Sequence, residues 1–177
     1  ITDTKANQFW TTFGVRGSGI VVANIDTGVR STHQALSGKY VCGTGPHTNC
    51  WFDPDNSTTA PTDWHGHGTH TMGTMVGSSG TNEIGMAPDA HWIACVGCAD
   101  ADGCSDYALN ACADWMLAPG ANPANRPNVI NNSWGSPPPW NCDTGYQVKV
   151  NAWRAAGIFP AFSAGNSTGC ASLGSPG

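Results

Sequence analysis

The sequence predicts an α/β protein, a three-layer sandwich with helices on the faces of a mainly parallel sheet. Apolar, β-prone runs alternate with helical patterns in a βαβαβ order. The first run, "GIVVANID" (19–26), reads as a strand buried on both faces. Asp26, Ser133-Trp134-Gly135 and Asn166 fall at the carboxyl ends of predicted strands, where parallel sheets gather their sites.

In chain order, a short lead-in precedes strand 19–26. "GTHTMGTMVGS" (68–78) predicts a short helix weakened by glycine, and "HWIACVG" (91–97) a second strand. "SDYALNACADWMLAPG" (105–120) predicts a helix capped by Ser105, with Tyr107, Ala111 and Trp115 on one face and a stop at Pro119-Gly120. "NVINNSWG" (128–135) is a third strand. "TGYQVKVNAWRAAG" (144–157) is a helix ended by Gly157, and "IFPAFSAGN" (158–166) a fourth strand.

The 177 residues allow one domain or a large piece of one. Only 11% are charged, and the net charge of −5 gives no electrostatic footprint for nucleic acid or an anionic membrane. No apolar run approaches the roughly 20 residues of a membrane span. The chain opens at Ile1 with no basic-then-apolar signal segment, as expected of a processed chain or of a sequence that begins late. Eight cysteines, an even count, point to a disulfide framework and a secreted, extracellular protein.

Asp26 closes a buried strand and needs a cationic or proton-donating partner. "DWHGHGTHTMGT" (63–74) offers His65, His67 and His70. A histidine oriented by a carboxylate is a competent general base, which then needs a nucleophile and an oxyanion hole. "SAGN" (163–166) sets the Asn166 amide after a strand and a Gly turn, a donor of the kind such a hole uses. The bland readings are local. Asp-Thr-Gly is good turn chemistry, and an Asn can take a left-handed turn position. His65, His67 and His70 also form H-x-H-x-x-H, a spacing that suits a three-histidine zinc site. That reading leaves Asp26, "NNSWG" and "SAGN" without a role.

Taken together, "IDTGV", "HGHGTHTMGT", "VINNSWG" and "SAGN" resemble, in order and spacing, the signature segments of the subtilisin-like serine proteases. "WIAC", "MLAPG" and "VINNSWG" resemble the bacillopeptidase F-like branch more closely still. The resemblance covers nearly all of the chain. It implies a peptidase in which Asp26 is the triad aspartate, His67 the general base and Asn166 the oxyanion donor. It implies that Ser133, Trp134 and Gly135 pair with an extended peptide substrate, with Gly103 to Ser105 as the opposite wall. Ser163, Ala164 and Gly165 would line the pocket for the residue before the scissile bond. His70, one helical turn from His67, is expected to pack inward.

The family's nucleophile lies in a Gly-Thr-Ser-Met-Ala segment, which this sequence lacks. Residues 1–177 therefore read as the N-terminal portion of a subtilisin-like domain, incomplete at the C-terminal side. The serine is expected on a second polypeptide or a missing segment. The same resemblance requires no cofactor and allows a structural calcium at loop 78–88. It also matches Pro176 to a proline that is often cis. Eight cysteines allow 105 pairings. The expected ones are Cys42–Cys50, Cys98–Cys104, Cys95–Cys112 and Cys142–Cys170.

Overall fold

A computed structural model describes residues 1–99, 103–136, 144–167 and 174–176. Its helices are α1 (Ala6–Phe13), α2 (His67–Val76), α3 (Asp106–Trp115) and α4 (Gln147–Ala155). The strands are β1 (Val21–Asp26), β2 (Trp51–Phe52), β3 (Ser78–Ser79), β4 (Asn82–Glu83), β5 (His91–Val96), β6 (Val129–Asn132) and β7 (Phe159–Phe162).

Five strands form one parallel sheet in the order β2-β5-β1-β6-β7, and β3 and β4 make a small antiparallel pair. β1 is central, and its buried run from Val22 to Asp26 agrees with a strand covered on both faces. Side chains alternate across a strand. Asn24 and Asp26 therefore face α2, to which both hydrogen-bond. Ile25 points the other way: with Leu109 of α3 it crowds the space beside Gly97. α3 in turn packs on α4. The result is helix, sheet, helix, the expected three layers. The chain winds from β1 to β5 on one side and to β6 on the other, so the switch point lies at the carboxyl end of β1.

Local signals explain the principal elements. Ser105 caps α3, its Oγ accepting from Ala108 N at 3.0 Å. α4 ends at Gly157 (φ 81°). There Gly157 N donates to Arg154 O and Ile158 N to Trp153 O, the paired bonds of a Schellman stop. Three predicted disulfides are present: Cys42–Cys50, Cys95–Cys112 and Cys98–Cys104. The expected Cys142–Cys170 bond lies outside the described residues. The Ser175–Pro176 bond is cis.

The structure corrects several expectations. The α3 face that packs is Ala108, Leu109, Cys112 and Ala113, while Tyr107 is 68% exposed. Small side chains let the helix lie close to the sheet, and Cys112 is bonded to Cys95 of β5. α3 stops at Trp115, before Pro119, because its last turn tightens into i→i+3 bonds at Leu117 and Ala118. The ladder of β6 ends at Asn132, so residues 133–135 lie outside it. The lead-in, given no element by the sequence reading, holds a helix, α1, with one buried residue. That residue, Trp10, donates from Nε1 to Met86 O and lies under the Arg16 guanidinium.

At the far edge, β7 pairs only with β6 among the described strands. Phe159 on β7 is 66% exposed and Val148 on α4 is 74% exposed.

Candidate active site

The site begins where β1 stops. Asp26 is 2% exposed, and its carboxylate is fully engaged. Oδ1 accepts from Thr27 N at 2.7 Å and lies 2.7 Å from His67 Nδ1. Oδ2 accepts from Thr71 Oγ1 at 3.2 Å. An ionised carboxylate can only accept, so Nδ1 carries the proton. That leaves Nε2 of the neutral ring unprotonated, on an imidazole 44% exposed.

His67 is held by the way α2 starts. The first N–H groups of a helix have no partners inside it. Here Asp63 takes those of Gly66 and Thr69: Oδ1 accepts from Gly66 N and from His65 N just ahead of the helix, and Oδ2 from Thr69 N and Thr69 Oγ1. Gly68 N donates to Thr27 Oγ1, which itself donates to Asp63 Oδ1. Burial pushes the Asp63 carboxyl up, but the bonds from Thr69, Gly66 and Thr27 outweigh it and hold it below the usual carboxylate range. A Cβ on Gly68 would strike the Gly28 carbonyl oxygen, so this helix can dock on the turn after β1 only with glycine there.

The second half of the site lies beyond β6 and β7. Ser133, Trp134, Gly135, Ser163, Gly165 and Asn166 line one cavity of ≈ 400 Å³. Ser163 N donates to Asn132 O, and Ser163 Oγ to Trp134 O at 3.3 Å, joining the two strand ends. Trp134 is buried, its ring edge-on to Tyr146 and Phe162, so it forms a wall rather than a free surface. Ala164 contributes its carbonyl, which accepts from Gly174 N at 2.9 Å. Ser136 and Ser175 exchange two backbone bonds and close the cavity's edge.

His70 is exposed, not packed inward: of the α2 residues near it, Gly68, Met72 and Val76 face the core. His65 lies edge-on to His67 with ring centroids 6.3 Å apart. Among the described residues, no three His, Cys, Asp or Glu side chains converge as a metal-ligand set. Sequence reasoning missed Asp63, Thr71, Asn24 and Asn131. Asp63 carried a signal, an acidic residue just ahead of a helix start. So did Asn24, a polar residue inside a run that reads as buried, which must have a partner.

A profile of the subtilase family, peptidase S8, matches residues 17–177.

The chain belongs to the subtilase family.

This subtilase chain is 45% identical to bacillopeptidase F of Bacillus subtilis (strain 168), over 94% of its own length and 12% of that protein. It is 30% identical to the major intracellular serine protease of the same organism, over 75% of its length and 39% of the relative. It thus spans well under two thirds of either relative. Fervidolysin from Fervidobacterium pennivorans, a keratinolytic enzyme related to subtilisin, has the same fold, with a TM-score of 0.71 and 25% identity. That match covers 96% of this chain and 24% of fervidolysin. The prenylagaramide maturation protease PagA shares the fold at a TM-score of 0.69 and 21% identity, over 97% of this chain and 54% of PagA.

Proposed function

We propose that residues 1–177 are the N-terminal portion of the catalytic domain of a secreted serine endopeptidase. They supply its aspartate, histidine and oxyanion asparagine. The observation that carries this reading is the 2.7 Å contact between His67 Nδ1 and the buried Asp26 carboxylate at the end of the central strand.

In this reading Asp26 fixes the tautomer of His67 and stabilises the ring once it is charged. His67 Nε2 takes the proton of a serine hydroxyl as that oxygen attacks the peptide carbonyl. It then returns the proton to the leaving amine. The Asn166 amide donates to the oxyanion of the tetrahedral intermediate. Ser133, Trp134 and Gly135 hold the extended substrate backbone in the manner of an added strand. Ser163, Ala164 and Gly165 shape the pocket before the scissile bond.

The serine comes from a second polypeptide or from a segment outside residues 1–177. β7, which pairs only with β6 among the described strands, and the exposed Phe159 and Val148 support such a partner, since edges and apolar faces of this kind are normally covered. Three disulfides support an oxidising, extracellular setting. No cofactor enters the hydrolysis. Loop 78–88 suits calcium poorly, because its one carboxylate, Glu83, is paired with Arg16. The cavity lined by Ser133, Trp134, Gly135, Ser163, Gly165 and Asn166 also suits one second reading, a peptide-binding module or inert fragment that never meets a serine.

A fluorophosphonate serine probe separates the two readings, followed by intact mass under denaturing, non-reducing conditions. The protease reading expects the label on a second polypeptide or on a chain longer than residues 1–177. One unlabelled species of 18.3 kDa would overturn it for this molecule.

A further inference from the structure

Asn24 is a fully buried amide in the middle of the central strand, flanked by Ala23 and Ile25. A buried amide without partners is costly, and this one has three. Its Nδ2 donates to Gly68 O at 3.0 Å and to Thr71 Oγ1 at 2.9 Å. Its Oδ1 accepts from Asn131 Nδ2 at 2.8 Å. A carbonyl oxygen can only accept, so the Gly68 contact fixes the amide with its nitrogen toward α2.

This orientation constrains Thr71. Its hydroxyl oxygen already receives a proton from Asn24, and its own proton has two acceptors in reach. One is Asp26 Oδ2 at 3.2 Å and the other is Gly68 O at 3.1 Å. Gly68 O already takes Asn24 Nδ2, and a carboxylate is the stronger acceptor. The proton therefore goes to Asp26. The chain of bonds also continues backward, since Asn131 Nδ2 donates to Ser133 Oγ at 2.9 Å. One row of side chains thus joins Ser133 beyond β6, Asn131 on β6, Asn24 on β1, and Thr71 and His67 on α2 through Asp26.

We propose that Thr71 is a positioning residue for Asp26, with Asn24 as the amide that aims its hydroxyl. Without that bond the carboxylate is held only on Oδ1, where His67 and Thr27 sit, and can rotate about its own bond. The plane of the carboxylate sets the direction of the His67 Nδ1–H bond, so Thr71 acts on His67 through Asp26. The role rests on the catalytic reading of Asp26 and His67. Its test has one readout that needs no turnover.

The test compares the wild-type protein, as isolated, with Thr71→Val and Thr71→Ser. The first readout is the deshielded proton on His67 Nδ1 in proton NMR spectra. The second is kcat and KM on a peptide substrate. Thr71→Val should broaden or abolish the Nδ1 resonance and lower kcat about 10-fold at nearly constant KM. Thr71→Ser, which restores the hydroxyl, should recover both. A Thr71→Val protein with a wild-type resonance and wild-type kcat would overturn the proposal. Loss of the resonance in Thr71→Val, in a protein whose wild type never turns over, would support the positioning role and count against the protease reading alone. Should Thr71→Val not fold, Thr71→Ala removes the same hydroxyl and keeps Asn24 bonded to Gly68 O and Asn131 Nδ2. A wild-type resonance in Thr71→Ala would equally overturn the proposal.

Discussion

Thr27 Oγ1 donates to Asp63 Oδ1 at 3.0 Å and accepts from Gly68 N at 2.9 Å. These bonds tie the turn after β1 to the entrance of α2. Asp26 precedes Thr27 and His67 precedes Gly68, so the same bonds set the distance between the carboxylate and the imidazole. The behaviour of the site follows from this joint.

The Asp63 carboxyl titrates below its ordinary value in the folded protein. It therefore stabilises the fold above the unfolded-state value, about pH 4, and loses that contribution as pH falls through its lower folded value. Asp63→Asn should lower stability at about pH 7 by roughly 1–2 kcal/mol, as for a lost helix cap. The gap to wild type should close as the medium is acidified. Thermal unfolding at a series of pH values checks this, and a gap that widens in acid would contradict it.

Gly68 has no room for a side chain against the Gly28 carbonyl. Gly68→Ala should destabilise by about 1–3 kcal/mol, the usual cost of overpacking, and push α2 away from β1. Urea unfolding measures the first effect, and loss of the deshielded His67 proton reports the second.

On the catalytic reading, Asp26→Asn leaves the shape of the site but removes the group that keeps the proton on Nδ1. Turnover by the assembled protease should fall by about 10⁴-fold with KM little changed. Steady-state kinetics decide it: a loss below about 10-fold would take Asp26 out of the mechanism.

Asn166 lines the cavity shared by Ser133 and Ser163. If its amide meets the oxyanion, Asn166→Ala should lower kcat by about 100-fold or more and leave substrate binding nearly intact. An effect on KM alone would make Asn166 a binding residue.

The Cys95–Cys112 bond closes a 17-residue separation between β5 and α3. Replacing both cysteines by alanine should cost roughly 2–4 kcal/mol in urea unfolding. A larger loss should follow when wild type is unfolded in the presence of a thiol reductant, which also opens Cys42–Cys50 and Cys98–Cys104.

The layer order, the parallel strands, the caps at Ser105 and Gly157, and the three described disulfides were all legible in the sequence. Each depends on short-range pattern: apolar runs, a capping residue just ahead of a helix, or cysteines close in the chain. Four short segments in a recognisable order singled out Asp26, His67 and Asn166, and the structure brings Asp26 and His67 into contact and sets Asn166 in the cavity beyond β6 and β7. What tertiary structure alone decided is how those residues are held. Asp63 reads as a loop acid until α2 docks and its first N–H groups turn to it. Thr71 and Asn24 lie 47 residues apart, and Asn131 lies 107 residues from Asn24. No local period encodes such pairs. They exist because β1, α2 and β6 meet at one point of the sheet, and a polar group buried there must find its partner across the fold.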